Sequence, residues 1–505
     1  MKIGDILLKR YRIIIFVFSF LFFLIGLCFN NTNIMLVSIC MLFTNNIWYA
    51  CERINDRIIF FAFNCTFFVF LLARLIVKPL TGYYDPYNNN YYGLDFDNQK
   101  IVLIIFTTLF LSLLFLYIGY FLFQGFLLKQ QNVGKPKKPN RSKASNGVFV
   151  KNVAIVSELL FYFTYLFNIL VMIDKARFTS NLGYSQLYSS YDSSFPSWVI
   201  KISEMCPSAL FVFLATLPKK KRSFFPILLF VMSGVLSLIV GQRNNFVLNI
   251  LIILVYFVLR NREDKKEKWF GKKEFVTAVI SFPFLILILN AVAYIRVDSK
   301  YEFSFLNSIY EFFYSQGVSV NLIGYAYSLS DQLPLGKIYS IGRIIDFLRN
   351  NAISHFLFST QVFQPQTIDS ALYGNSFADS VSYLLSPQRY IKGWGYGSCY
   401  IAEAYKDLGY FGVILGNFVM GSILALQVYL FRKKGIIGKW VCLSMTRLLM
   451  YAPRDTFTSF FVTTFSIINI VTLFAILLAA LILSKQYYKL PIKRIKLTSY
   501  EEKKM

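Results

Sequence analysis

Charge is what this chain most conspicuously lacks. Asp, Glu, Lys and Arg make up 15% of its 505 residues, where soluble globular chains carry about 25%, while 56% are hydrophobic and 18% aromatic. A water-soluble globule is excluded. Histidine is scarcer still. His355 is the only one, which leaves little room for a Ser-His-Asp hydrolase, and no G-x-S-x-G elbow occurs. His355 itself, in "NAISHFLF", reads more readily as a packed or surface residue than as a base. No Walker A run is present, nor a G-x-G-x-x-G opening a helix, so nothing supports nucleotide chemistry. The seven cysteines (28, 40, 51, 65, 206, 399 and 442) lie mostly within apolar runs. Only Cys399 falls in the long segment discussed below, and neither a disulfide framework nor a zinc site is supported.

Apolar runs fill the chain instead. Stretches of about 20 such residues suffice to span a bilayer, and twelve candidates occur: 11–29, 33–50, 58–77, 101–128, 153–173, 198–217, 224–240, 245–260, 275–295, 410–431, 440–456 and 460–484. The weakest are 198–217, with Lys201, Glu204 and Pro207, and 440–456, with Arg447 and Arg454. The fold class expected is an all-α polytopic membrane protein of about twelve transmembrane helices. Its expected organisation is a nine-helix region over 1–295, a large and mostly helical external loop over 296–409, a three-helix region over 410–484, and a basic tail over 485–505. No cleavable signal peptide is apparent, since the first apolar run is long and lacks a small-residue cleavage site.

The net charge of +26 invites a nucleic-acid reading, but the placement of the cations argues against it. They cluster at the N-terminus, in "KPKKPNRSK" (135–143), "KKKR" (219–222), "RNREDKKEKWFGKK" (260–273), "RKKGIIGK" (432–439) and the tail. All of these fall on one side of a twelve-helix arrangement. About 35 of the 52 Lys and Arg residues lie there, the bias that orients proteins of the bacterial cytoplasmic membrane with basic loops inside. Both termini are therefore expected in the cytoplasm, and the basic runs read as anchors on anionic lipid.

The remaining cations gain meaning from the same rule, which predicts their depletion outside. Arg243 stands in "GQRNN", Arg296 in "YIRVDSK", Arg343, Arg349, Arg389 and Lys392 in the long loop, and Arg454 in "YAPRDTF". Each alone is explained by snorkelling or by pairing with a nearby acid such as Asp298 or Asp455. As a set on one face they suit a multiply charged anion, because the guanidinium fork matches phosphate oxygens. A lipid diphosphate or an acidic sugar is implied.

The run "GWGYGSCYIAEAYKDLGYFG" (393–412) places polar groups at the same face. Gly393, Gly395 and Gly397 permit turns and close approach to a ligand. Trp394 and Tyr396 suit a sugar ring or the lipid interface. Glu403 and Asp407, four apart, share a face of the helix expected after Gly397; Glu403 is the candidate general base, against the alternative of a surface ion pair with Lys406. In "LDFDN", Asp95 and Asp97 form a D-x-D that reads as solvated surface more readily than as a metal site, and no metal is expected.

The segment "GWGYGSCYIAEAYKDLGYFGVILGNFVMG", with "YSQGVSVNLIGYA" (314–326), the "GQR" turn and the late "PRD" (453–455), resembles bacterial Wzy-type polymerases of O-antigen and capsular polysaccharides. The likeness spans most of 230–460, while the N-terminal half matches only in hydropathy. It implies an architecture like that of GT-C glycosyltransferases. It also implies transfer of a growing glycan from one undecaprenyl diphosphate to a repeat unit on another at the outer face of the membrane, with no cofactor, since the donor is already activated. In that setting Glu403 is the catalytic candidate, and Arg243, Arg296, Arg389, Arg454, Trp394 and Tyr396 are substrate-binding candidates. A flippase and a chain-length regulator are the partners implied, besides membrane lipid. Two rival readings stay open: an O-antigen-ligase-like transferase, and a flippase or transporter of lipid-linked oligosaccharide, although no internal repeat of the transporter kind is visible.

Overall fold

A computed structural model describes residues 3–83, 94–133, 143–263, 267–297 and 304–489. Among these the regular structure is helical throughout. The basic run 135–143 and the tail beyond 489 lie almost wholly outside the described residues.

Among the described residues, eleven helices are long and apolar enough to cross a membrane. They are α1 (Arg10–Cys28), α2 (Thr32–Cys51), α3 (Ile54–Thr81), α4 (Gln99–Lys129), α5 (Gly147–Leu182), α6 (Ser197–Ala215), α7 (Lys220–Ile239), α8 (Arg243–Glu263), α9 (Lys272–Val292), α10 (Tyr400–Lys433) and α12 (Ser459–Lys485). The weakly marked stretch 198–217 is one of them. Its Pro207 sits in the first turn after a break at Met205, where no amide donor is needed. Its Lys201 and Glu204 pair with each other at 3.2 Å.

The stretch 440–456 departs from expectation. α11 (Ile436–Leu449) has only 14 residues, a rise of about 21 Å. A 3-10 turn over Ala452–Arg454 and an irregular passage to residue 458 follow it. Pro453 cannot continue a helix and Arg454 turns aside to a partner in the long loop, so the segment climbs beside α10 in two pieces.

α10 also differs, starting at Tyr400 rather than at 410. Leu408 and Gly409 leave helical geometry inside it, and Gly409 takes φ +57°, which glycine adopts at no steric cost. Residues 400–407 are thus a short helix set at an angle to the span below.

α4 and α10 form the most intimate pair in the molecule. Gly119 and Gly421 make this possible: a Cβ on Gly421 would lie 2.2 Å from the Leu116 carbonyl oxygen, and one on Gly119 the same distance from that of Phe418. Asn417 on α10 is buried there and satisfied, its Nδ2 donating to Ser112 Oγ at 3.1 Å and its Oδ1 accepting from Tyr400 Oη at 2.6 Å.

The long loop is built of short helices, among them Phe305–Gln316, Asn321–Ser328, Gly342–Arg349, Ala352–Phe358 and Phe377–Leu385. Phe305–Gln316 packs on α9 and on the last turns of α3, and Asn321–Ser328 on α4 and α10. Asp407 fastens the loop's middle to α10 by accepting from the amides of Tyr339 and Ser340 at 2.9 and 2.8 Å. The bundle therefore has a loop end and a basic end. Ion pairs gather at the basic end, where Arg12 and Arg57 flank Glu52, Lys220 meets Glu274, and Arg262 and Arg432 share Asp56.

Candidate active site

The loop end converges on the irregular stretch 451–457, to which three distant segments are tied. From the turn between α7 and α8, the Asn244 amide donates to Tyr451 Oη. From the end of Phe305–Gln316, Gln316 offers its backbone carbonyl and its Oε1 to Arg454 Nη1, both at 3.2 Å. From the start of α10, Glu403 Oε2 accepts the Phe457 N–H at 2.8 Å. The four sequence segments "GQRNN", "YSQG", "GSCYIAEAY" and "PRD" thus meet at one place.

Arg454 does not pair with its neighbour Asp455. Its guanidinium lies 5.8 Å from the Phe70 ring and bonds to Gln316, and among the described residues it makes no ion pair. Arg243 opens α8 and donates from Nη1 to the Leu289 carbonyl at 3.1 Å. It stands with Arg454, Asp455 and Tyr184 in electrostatic range of Tyr451. Asp455, half-buried, accepts from the Thr456 N–H at 2.8 Å. Burial pushes its carboxyl above the usual carboxylate range, while donors on Ser459 and Thr456 and the charge of Arg343 pull it back.

Glu403 occupies an unexpected position. It is wholly buried; Ser398 Oγ donates to its Oε1 at 2.6 Å and the Phe457 amide to its Oε2. It does not pair with Lys406, which donates instead to the Ser330 carbonyl at 2.8 Å. With both oxygens engaged and no open surface, the carboxylate links the head of α10 to the 451–457 turn.

A small cleft within the loop gathers Arg389, Trp394 and Tyr396 with Ser382, Ser386 and Tyr390. The Arg389 guanidinium sits 5.3 Å from the Trp394 ring, and Ser382 Oγ accepts the Tyr396 N–H at 3.0 Å. Tyr396 stacks edge-on with Tyr325 at 6.0 Å. Gly393 and Gly397 have φ +88° and +77°. The close approach at Gly393 is to protein, however: a Cβ there would meet the Ser185 carbonyl at 2.1 Å. Gly395 is limited only by Ser382 Oγ at 3.4 Å.

The other candidates disperse. The side chain of Arg296 lies outside the described residues, near the end of the helix that continues α9. Asp95 accepts the Asp97 amide at 3.0 Å in an exposed turn, and exposed His355 contacts the Thr360 carbonyl through Nδ1 at 2.7 Å.

Arg74, Gln316 and Tyr451 were not singled out by the sequence. Arg74 is buried, 4.1 Å from the Tyr314 ring centroid, and Gly317 packs so closely that a Cβ there would lie 2.5 Å from its Cβ. A cation inside an apolar run is a signal of function in its own right, and Arg74 carries it.

A family model described as O-antigen polysaccharide polymerase Wzy matches residues 11–487, nearly the whole chain. No curated protein and no solved structure matches it.

Proposed function

The chain belongs to the O-antigen polysaccharide polymerase Wzy family, and from that premise we propose how its loop end joins one repeat unit to another. It is a multi-pass bacterial membrane protein and a glycosyltransferase-type polymerase of O-antigen repeat units. The donor in our reading is a growing glycan on undecaprenyl diphosphate and the acceptor a repeat unit on a second such lipid. The loop end faces outward and both termini face the cytoplasm, as the basic end and the positive-inside bias support.

In the transfer, the bond from the donor's anomeric carbon to diphosphate oxygen breaks and a bond from that carbon to an acceptor hydroxyl oxygen forms. The departing diphosphate carries away the electron pair, and the hydroxyl proton goes to a carboxylate. Arg454 and Arg243 supply positive charge to the leaving diphosphate, and Arg296 is a further candidate for the same role. Gln316 holds Arg454 in place through two bonds. Asp455, which follows Arg454 in the chain and keeps part of its surface open, takes the role of acceptor base. Glu403 acts as a positioning residue that fixes the turn carrying both. Trp394 and Tyr396, with Arg389, offer aromatic faces and a cation to the glycan. A flippase that delivers the units and a chain-length regulator are the partners such a reaction calls for.

The observation that carries this reading is the meeting of four separated segments around an arginine with no carboxylate partner. Purified protein incubated with a synthetic lipid-diphosphate-linked repeat unit tests it. Products of two or more units on one lipid, with release of polyprenyl diphosphate, are expected. Transfer only to an unrelated acceptor, or none with a donor known to be intact, would reject it.

A further inference from the structure

A cavity of 360 Å³ lies in the membrane domain among α5, α6, α7, α8, α11 and α12; Asn245 of the "GQRNN" segment is in its wall, but Arg243, Glu403, Arg454 and Asp455 do not line it. Arg447 on α11 opens into it. Its Nε donates to Asn249 Oδ1 at 3.0 Å and its Nη2 to Asn245 Oδ1 at 3.2 Å. Both amides are themselves fixed, Asn249 Nδ2 donating to the Phe230 carbonyl at 3.1 Å and Asn245 Nδ2 to Gln242 Oε1 at 3.3 Å. The guanidinium is therefore pre-oriented, has N–H groups to spare of its five, and makes no ion pair among the described residues. Lys175 also lines the cavity, and the carboxylate there, Glu204, is paired with Lys201. Amides and hydroxyls such as Asn168, Ser233 and Thr464 complete the wall.

An uncompensated cation among apolar helices is costly unless something neutralises it; Lys175 has Glu204 and Asp174 within electrostatic reach, so it is Arg447 that leaves the cavity positive. The planar fork of Arg447 matches phosphate oxygens. The space equals about twelve waters at roughly 30 Å³ each, more than a phosphate group alone requires. The flanks of α5 and α12 present Leu166, Leu170, Ile467 and Ile470 outward, a surface suited to an acyl or isoprenoid tail.

We propose that this cavity is a second anion site, which takes a phosphate ester carried on a membrane lipid. Transfer between two lipid-linked units brings two phosphorylated tails to the enzyme together. The role of the site, though not its chemistry, thus rests on the reading above.

Native mass spectrometry of the full chain in detergent tests the assignment, with a polyprenyl monophosphate, a short-chain phosphatidylglycerol and orthophosphate as probes. Arg447→Gln and Lys175→Gln are each expected to weaken binding of a tailed phosphate by about tenfold or more, with Lys434→Gln, exposed at the basic end, retaining it. Which tailed probe depends on Arg447 identifies the lipid. Equal dependence for orthophosphate would overturn the lipid assignment, and unchanged binding of every probe in both variants would overturn the site. Should Arg447→Gln fail to insert, Lys175→Gln and Arg447→Lys decide by the same criterion. Loss in Arg454→Ala with none in the cavity variants would reject the cavity while leaving the transfer site standing; failure of the transfer reading is read separately, as no polymer from an intact lipid-diphosphate-linked donor.

Discussion

Glu403 and Asp455 are two carboxylates of one neighbourhood with opposite circumstances. Glu403 has two donors and no open face, so Glu403→Gln keeps one acceptor but turns an NH₂ toward a donor. One unsatisfied buried group costs about 1–3 kcal/mol. The expected outcome is a lower melting temperature and less inserted protein, with near-normal polymer per molecule; a catalytic base would instead show normal protein and transfer slowed by roughly 10²–10⁴-fold. For Asp455 the expectation concerns pH. The deprotonated form accepts the proton and is lost as pH falls through a pKa that burial has raised, so the acid limb of kcat/KM lies above that of an exposed aspartate. Arg343 lowers that pKa, so Arg343→Ala moves the limb to higher pH. A limb that stays put or moves down would dismiss Asp455 as the base. Arg243 and Arg454 were legible in the sequence because they stand at ends of apolar runs on the wrong side for cations. The tethering of Glu403 was not, because its partner is a backbone amide 54 positions away, and no residue type announces an amide.

At the scale of elements, long apolar runs were legible because a bilayer admits few alternatives to a helix. The helix beginning after Gly397 was legible too. The break at Leu408 and Gly409 and the shortness of α11 were not: each is set by what the chain meets in space, the angle at which α10 leaves the loop and the reach of Arg454 toward Gln316. The α4–α10 contact offers a test. Gly421→Leu drives a side chain into the Leu116 carbonyl and is expected to destabilise by about 1–3 kcal/mol, read as a lower melting temperature in detergent. Gly125→Leu, where a Cβ meets nothing within 4 Å, is expected to stay within about 0.5 kcal/mol. Equal effects would mean that the two helices do not approach as described.

For the whole molecule, the division into a basic end and a loop end follows from charge placement, which is why the sequence carries an expectation of sidedness before any contact is known. The gathering of "GQR", "YSQG", "GSCYIAEAY" and "PRD" around one turn was visible only as a shared family likeness, since their spacing along the chain encodes no distance. Single cysteines in a cysteine-free background test the orientation. Lys220→Cys and Lys434→Cys are expected to resist an impermeant thiol reagent in intact cells. Leu335→Cys and Phe356→Cys, at highly exposed loop positions, are expected to label. The opposite pattern would put the site on the wrong face for an externally delivered glycan.

The claim that the 451–457 turn is where transfer occurs is tested most directly by polymer formed per unit of inserted protein in Arg454→Ala. Loss of a single charge-assisted contact to a developing anion is worth about 2.7–4 kcal/mol, or roughly 10²–10³-fold in rate, with little recovery in Arg454→Lys because an ammonium lacks the bidentate fork. That loss, at normal protein level, is the predicted result. Arg454→Ala protein that inserts normally and polymerises at the wild-type rate would contradict it.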